Sequence, residues 1–107
     1  MHRSEHRFLP EETVLNTSLI FKALADPTRI KILYLLSQEE CSVNHIAEVL
    51  DMSQSAVSHQ LSYLRNMKLV TYRREGQTLI YTYKDEHVIA LLRQAIEHAE
   101  HPPESPA

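Results

Sequence analysis

Residues 42–67 read SVNHIAEVLDMSQSAVSHQLSYLRNM, and this stretch decides the fold. It contains two segments with apolar residues at helical spacing, and Ser42 and Ser53 stand at their starts, where serine is a favoured cap. Residues 51–53, between the two segments, are too few for anything but a turn. Two helices joined by so short a turn predict a helix-turn-helix motif.

The second helix of this motif presents two different faces. Val57, Leu61 and Leu64 follow one another at i, i+4 and i+7, so one face is apolar and holds the helix against a core. The polar residues near its start face outward, where hydroxyl and amide groups reach the base edges and phosphates of double-stranded DNA. The alternative is a surface helix whose polar face is only hydrated. His59 has no second metal donor three or four residues away on this helix, which favours packing or DNA contact over metal binding.

The sequence pattern changes after Lys68 from a helical period to the alternation typical of strands. Residues 69–72 and 78–83 predict a β-hairpin, and Gly76 is suited to a positive φ at its tip. We expect the arginines of the connection, residues 73–77, to contact DNA phosphates or the minor groove. The alternative is that they only add solubilising charge. The predicted DNA-binding residues are Gln54, Ser55, Val57, Ser58, His59, Arg73, Arg74 and Gln77.

Further helices flank the motif on both sides. Residues 11–25 have apolar positions at helical spacing and acidic residues in the first turn. Asp26-Pro27 then starts a second helix, which should lie deep in the core. A last helix covers residues 85–101 and is stopped by Pro102. The predicted fold class is mainly α with a β-hairpin wing (α+β), a winged helix-turn-helix.

Length and composition limit the classes of protein to which the chain can belong. A chain of 107 residues with 43% apolar content predicts one domain, residues 1–107, with a flexible arm at 1–10 and a tail at 102–107. Gly76 is the only glycine, which excludes glycine-rich phosphate loops. No apolar stretch is long enough to span a membrane or to act as a signal peptide, and Cys41 is the only cysteine. The expected compartment is therefore the cytoplasm.

The distribution of charge is more informative than its total. The formal net charge is −3, which by itself does not favour nucleic acid. Residues 53–84, however, hold five basic residues against Glu75 alone, a net +4, which leaves −7 for the remainder. A basic middle between acidic ends provides a local field that attracts phosphate.

Two segments together resemble one known family. The run FKALADPTRI at residues 21–30, followed by SQSAVSHQL at residues 53–61, is similar to the ArsR/SmtB family of metal-responsive repressors. The likeness continues through the wing and the last helix, over roughly residues 11–101, and is greatest to zinc/cobalt sensors of the CzrA type. The resemblance implies a homodimer that binds a palindromic operator in the metal-free form and releases it when metal binds. It implies no enzyme activity, no small-molecule substrate and no membrane partner.

The last helix carries four metal donors: Asp85, His87, His98 and His101. The pairs at its two ends lie about 20 Å apart, because thirteen residues separate them at a rise of about 1.5 Å each. Two antiparallel copies about a two-fold axis would build two sites, each with one pair from each subunit. Three imidazoles and one carboxylate suit Zn²⁺, with Co²⁺ or Ni²⁺ as alternatives. The alternative is that these are surface histidines near a chain end.

We expect the helices to pair through an apolar stripe on the last helix. The stripe consists of Val88, Ile89, Leu92, Ala95, Ile96 and Ala99.

Cys41 raises two further hypotheses. Some family members bind metal through a cysteine at this position, an aspartate three residues later and an N-terminal arm. Here Asn44 replaces the aspartate, and only His2 and His6 of the arm remain to complete such a site. Otherwise Cys41 is a partly buried small residue. The alternative function is a repressor of the same fold that senses an oxidant at Cys41, although the chain offers no resolving cysteine.

A metalloenzyme that uses the histidines is a third class. It is not favoured, because the four-donor site on the last helix leaves no open position for a catalytic water.

Overall fold

The computed structural model describes residues 6–101, and its elements follow the predicted order. The described part has five helices and three strands. The bounds are α1 Glu11–Leu24, α2 Pro27–Leu36, β1 Cys41–Ser42, α3 Val43–Leu50, α4 Gln54–Asn66, β2 Val70–Glu75, β3 Thr78–Tyr83 and α5 Glu86–Glu100. The predicted tail lies outside the described residues, as do residues 1–5 of the predicted arm. The winged helix-turn-helix prediction is confirmed.

Side-chain caps fix the helix starts where the sequence predicted them. The Ser42 hydroxyl accepts the backbone N–H of His45, and the Ser53 hydroxyl accepts that of Ala56. The Asp26 carboxylate caps α2 in the same way, with Pro27 in the first turn. Such caps satisfy N–H groups that have no partner within the helix.

The hairpin is longer than predicted, and this corrects the placement of two arginines. Ladder pairing continues from Val70–Tyr83 to Glu75–Thr78, so Arg73 and Arg74 belong to β2 and not to the connection. The turn is reduced to Gly76 and Gln77, with Gly76 at a φ of 63°. Backbone pairing extends through these polar residues because cross-strand hydrogen bonds do not depend on an apolar side chain.

A third strand, β1, was not predicted. It pairs antiparallel with β3 and gives the strand order β1-β3-β2. In this register Cys41 lies opposite Tyr81 and Ser42 opposite Ile80. Two residues are too short for an alternating pattern, so the sequence carries no signal for this strand.

One core joins the helices to the sheet. Ile32, Leu33 and Leu36 of α2 are buried in it, as expected for the second helix. The same core takes Val88, Ile89 and Leu92 of α5, each at most 4% exposed. These three residues are therefore not available for helix pairing between subunits, and this part of the predicted stripe is wrong. No helix among the described residues is long and apolar enough to cross a membrane.

Candidate DNA interface and metal-ligand surfaces

The α4 helix is held from below by its apolar face. Val57, Leu61 and Leu64 have no exposed surface. The prediction that Val57 contacts DNA is therefore wrong for its side chain, which packs in the core. Gln54, Ser55, Ser58 and His59 are exposed, as predicted.

A polar groove joins α4 to the turn of the hairpin. Three predicted DNA-binding residues, Gln54, Ser58 and Gln77, line this open groove of about 440 Å³. Ser42, Asn44 and Thr78 line it as well, and the sequence reasoning missed them as surface partners. The Gln54 amide donates to Asn44 Oδ1 at 2.9 Å, which fixes the start of α4 to α3. The groove therefore presents hydroxyl and amide groups from both helices of the motif and from the wing.

The two wing arginines lie on opposite faces of β2, since neighbouring residues of a strand alternate. On one face, Arg73 is engaged by carboxylates, with Glu40 Oε1 and Glu75 Oε2 each 2.7 Å from its guanidinium. These hydrogen bonds raise the pKa of Arg73, and the one to Glu40 has the larger effect. A phosphate contact by Arg73 stays a prediction, and it requires exchange of these two carboxylates.

Arg74 lies on the other face, with Tyr72. The Arg65 guanidinium of α4 stacks over the Tyr72 ring at 4.7 Å, so this face is turned toward α4. Arg74 is exposed and pairs across the ladder with Leu79, which lines the polar groove. Neither arginine lines the groove, so the structure separates the two by their partners alone: Arg73 is ion-paired, and Arg74 is exposed.

The four donors of the last helix lie at its two ends, as predicted. Asp85 caps α5, and its Oδ1 accepts the backbone N–H groups of His87 and Val88. The same oxygen lies 3.9 Å from His87 Nδ1, so carboxylate and imidazole already converge. At the other end, His98 and His101 line one small depression of about 210 Å³. Each pair thus lies at one end of α5, and metal binding by the two pairs stays a prediction.

An apolar surface crosses α1 and α5. An open groove of about 490 Å³ is lined almost entirely by apolar side chains, including Phe21 and Leu24 of α1 and Leu91, Ala95 and Ile96 of α5. Phe21 is 55% exposed and Leu15, also on α1, 57% exposed. The sequence reasoning assigned pairing to α5 alone and did not find the contribution of α1.

Cys41 lies among donors that differ from the expected ones. Its thiol is 3.6 Å from Glu39 Oε1, and the same oxygen lies 2.8 Å from His45 Nε2. His2 is outside the described residues, and His6 is not one of the donors that the structure brings to Cys41.

The surroundings of Cys41 favour the protonated thiol over the thiolate. Burial, reinforced by the charge and hydrogen bond of Glu39, raises the pKa of the Cys41 thiol from 9.0 to about 11. The thiolate is the form that oxidants attack, so the structure weighs against the oxidant hypothesis.

The chain has extensive similarity to known regulators. Residues 26–72 match the family model described as bacterial regulatory protein, arsR family. The chain is 42% identical to the HTH-type transcriptional regulator NmtR of Mycobacterium tuberculosis over 93 residues, which are 87% of this chain and 78% of that protein. It is 44% identical to a transcriptional repressor SmtB homolog of Synechocystis sp. over 78 residues, 73% of this chain but 59% of that protein.

A solved structure supports the same assignment. A homodimeric winged helix-turn-helix DNA-binding domain from Mycobacterium bovis superposes with a TM-score of 0.78 at 30% identity, covering 95% of this chain and 96% of that one.

Proposed function

Because this chain belongs to the ArsR family of bacterial regulatory proteins, we propose that it represses transcription as a homodimer and releases its operator when metal binds to α5. As an ArsR/SmtB-family repressor, it is a regulator and not an enzyme. The proposed signal is Zn²⁺, with Co²⁺ or Ni²⁺ as alternatives. One observation carries the proposal: α5 bears a donor pair at each end beside an exposed apolar surface.

The apolar surface supports a dimer through the terminal helices. Leu15 and Phe21 are large apolar side chains with more than half of their surface exposed. Phe21 also lines the open apolar groove with the outer face of α5, and a soluble monomer rarely leaves such a surface open to water. A two-fold axis across this surface makes the contact self-complementary.

The same axis would complete the metal site. Within one chain the two donor pairs of α5 are about 20 Å apart along the helix. In an antiparallel arrangement His98 and His101 lie beside the partner subunit's Asp85 and the partner subunit's His87. Three nitrogens and one oxygen then surround the ion, a donor set typical of Zn²⁺ and poorly suited to Cu(I).

Release of DNA requires that the metal-bound dimer bind the operator more weakly than the metal-free dimer. The coupling is reciprocal, so operator DNA must weaken zinc binding by the same factor. To shift the ratio of released to operator-bound dimer from 1:99 to 99:1, the coupling free energy must reach about 5.5 kcal/mol. The polar groove, Arg74 and the basic charge of residues 53–84 support the DNA side of this equilibrium.

The deciding experiment is a titration of palindromic operator DNA with and without zinc and a chelator. Wild type should bind in chelator and release with zinc. His98→Ala should lose zinc and stay bound under both conditions. Gln94→Ala is the matched control, because Gln94 lines the same depression as His98 but is not a donor of the proposed site. If zinc bound in full stoichiometry and operator affinity did not change, sensing through α5 would be wrong.

A further inference from the structure

Two amide side chains meet in the polar groove, one from each helix of the helix-turn-helix. Gln54 is the first residue of α4, and Asn44 lies in the first turn of α3. The Gln54 Nε2 donates to Asn44 Oδ1 at 2.9 Å, and both residues are exposed and line the groove. Within residues 6–101, this is the one hydrogen bond of the Gln54 side chain. These two side chains, here called the amide pair, therefore restrain each other at the surface where α4 is proposed to meet DNA.

We propose that Asn44 is a positioning residue for DNA recognition, which holds the Gln54 amide in the orientation that reads adenine in the major groove. This inference rests on the proposed binding of operator DNA through α4. The amide of a glutamine has two N–H donors and one oxygen acceptor. The bond to Asn44 uses one donor, so one N–H and Oε1 remain for DNA. Adenine presents N7 as an acceptor and N6–H as a donor, which matches these two remaining groups.

The orientation of the Gln54 amide matters because its two ends differ in polarity. The last torsion of a glutamine is broad and roughly two-fold, so an unrestrained amide exchanges its oxygen and nitrogen ends. The exchange reverses the order of donor and acceptor that a base meets. Because only the nitrogen end of Gln54 can donate to Asn44 Oδ1, the bond selects one of the two orientations. It also restricts a flexible side chain before DNA arrives, which reduces the entropy lost on binding.

The backbone beneath the amide pair is fixed by caps and by the core. Ser42 and Ser53, the caps of the two helices, each accept a backbone N–H of the first turn. Ile46 of α3 and Val57 of α4 have no exposed surface and hold the inner faces of the helices. In a helix-turn-helix, the N-terminal residues of the second helix contact base edges. Gln54 occupies the first of these positions.

The amide pair can remain intact when DNA binds. The Arg73 guanidinium, by contrast, is engaged by two carboxylates that a phosphate would have to replace. The bond between Gln54 and Asn44 joins two neutral groups and leaves an acceptor and a donor of Gln54 unused. We therefore expect Asn44 to affect which base is preferred, rather than the contacts with phosphate.

The test is selection of bound duplexes from a random-sequence DNA library by the metal-free, full-length protein in chelator. Sites selected by wild type should contain a position at which adenine is favoured at least about fivefold, and Gln54→Ala should remove the preference there. Asn44→Leu removes the acceptor at similar size and should lower this preference at least about twofold. Asn66→Leu is the matched control, because Asn66 is an exposed asparagine at the other end of α4 and lies outside the groove. It should select the same sites as wild type.

Two further measurements separate positioning from a purely structural role. Asn44→Asp keeps an acceptor for Gln54 Nε2 and adds a negative charge. It should weaken binding to all duplexes alike and keep the adenine preference. In the Gln54→Ala background, Asn44→Leu should not change DNA affinity further, because Asn44 acts through Gln54.

Three results would overturn the proposal. In the first, Asn44→Leu keeps the full adenine preference of wild type. In the second, Gln54→Ala alters no position of the selected site, or alters one at which adenine is not favoured. In the third, the two substitutions act independently on DNA affinity, so that Asn44 contacts DNA by itself. Wild type still selects a site in all three, whereas failure of the proposed function would leave it with no selected site or with no release by zinc.

Discussion

Arg29 offers the sharpest test of how α1 is attached to the rest of the domain. Its Nε donates to the Ala23 carbonyl at 2.8 Å and its Nη2 to the Lys22 carbonyl at 3.2 Å. Both carbonyls lie in the last turn of α1, where helical carbonyls lack partners within the helix. The guanidinium also stacks over the Tyr63 ring of α4 at 4.2 Å. One side chain of α2 thus caps α1 and joins it to α4.

We expect Arg29→Met to lower the free energy of unfolding by about 2.5–5 kcal/mol. The hydrogen bond to the Lys22 carbonyl contributes about 1 kcal/mol, and the ring contact about 0.5–1 kcal/mol. The Ala23 carbonyl, on a residue with no exposed surface, would lose its donor, and this loss costs about 1–3 kcal/mol, the upper value when no water replaces the donor. Methionine keeps most of the apolar stem, so the loss reports polar contacts rather than a cavity.

Urea unfolding followed by circular dichroism measures this change, at one fixed protein concentration because a dimer is stabilised by mass action. Arg93→Met is the matched control, since Arg93 makes one exposed hydrogen bond, to the Ser37 carbonyl. Its effect should stay below about 1 kcal/mol. Since α1 carries part of the exposed apolar surface, Arg29→Met should also weaken dimerisation in sedimentation. Equal stability of the two variants would refute the capping argument.

Four further predictions concern DNA and the thiol. Ser58→Ala should weaken operator binding by about 1–3 kcal/mol with zinc affinity unchanged, and normal binding would place the reading surface elsewhere. Arg74→Ala should lower the salt slope of DNA binding by about one. Arg73→Ala should lower it by less, because two carboxylates already neutralise Arg73. A larger effect of Arg73→Ala would contradict this neutralisation. In metal-free protein near pH 8, Cys41 should be alkylated about 100-fold more slowly than a thiol with a pKa of 9.0. Glu39→Gln should speed the reaction. An unchanged rate would exclude Glu39 as a cause of the raised pKa of Cys41. Because the folded state holds this proton more tightly, the contribution of Cys41 to stability falls as pH rises from 9.0 to about 11.

The sequence by itself determined the five helices, the existence of the hairpin and the class of the fold. Ser42, Ser53 and Asp26 are caps that act on N–H groups three residues away, and helical periods act over one or two turns. Such short-range rules do not depend on the rest of the molecule, which is why helix starts and the helix-turn-helix were predicted correctly. The four α5 donors were also predicted from positions along one helix, and their binding of metal stays a prediction.

Only the tertiary structure decided which helix and strand faces are buried in the core and which residues pair across the sheet. A stripe of apolar residues on α5 does not say whether it faces its own core or a partner, and packing against α2 took Val88, Ile89 and Leu92 inward. Arg73 pairs with Glu40, 33 residues away in sequence, because β1 and β2 flank β3. Glu39, Cys41 and His45 come together from a loop, a strand and a helix start within seven residues, where no single period relates spacing to distance. Burial and long-range pairing depend on the whole chain, so no local pattern contains them.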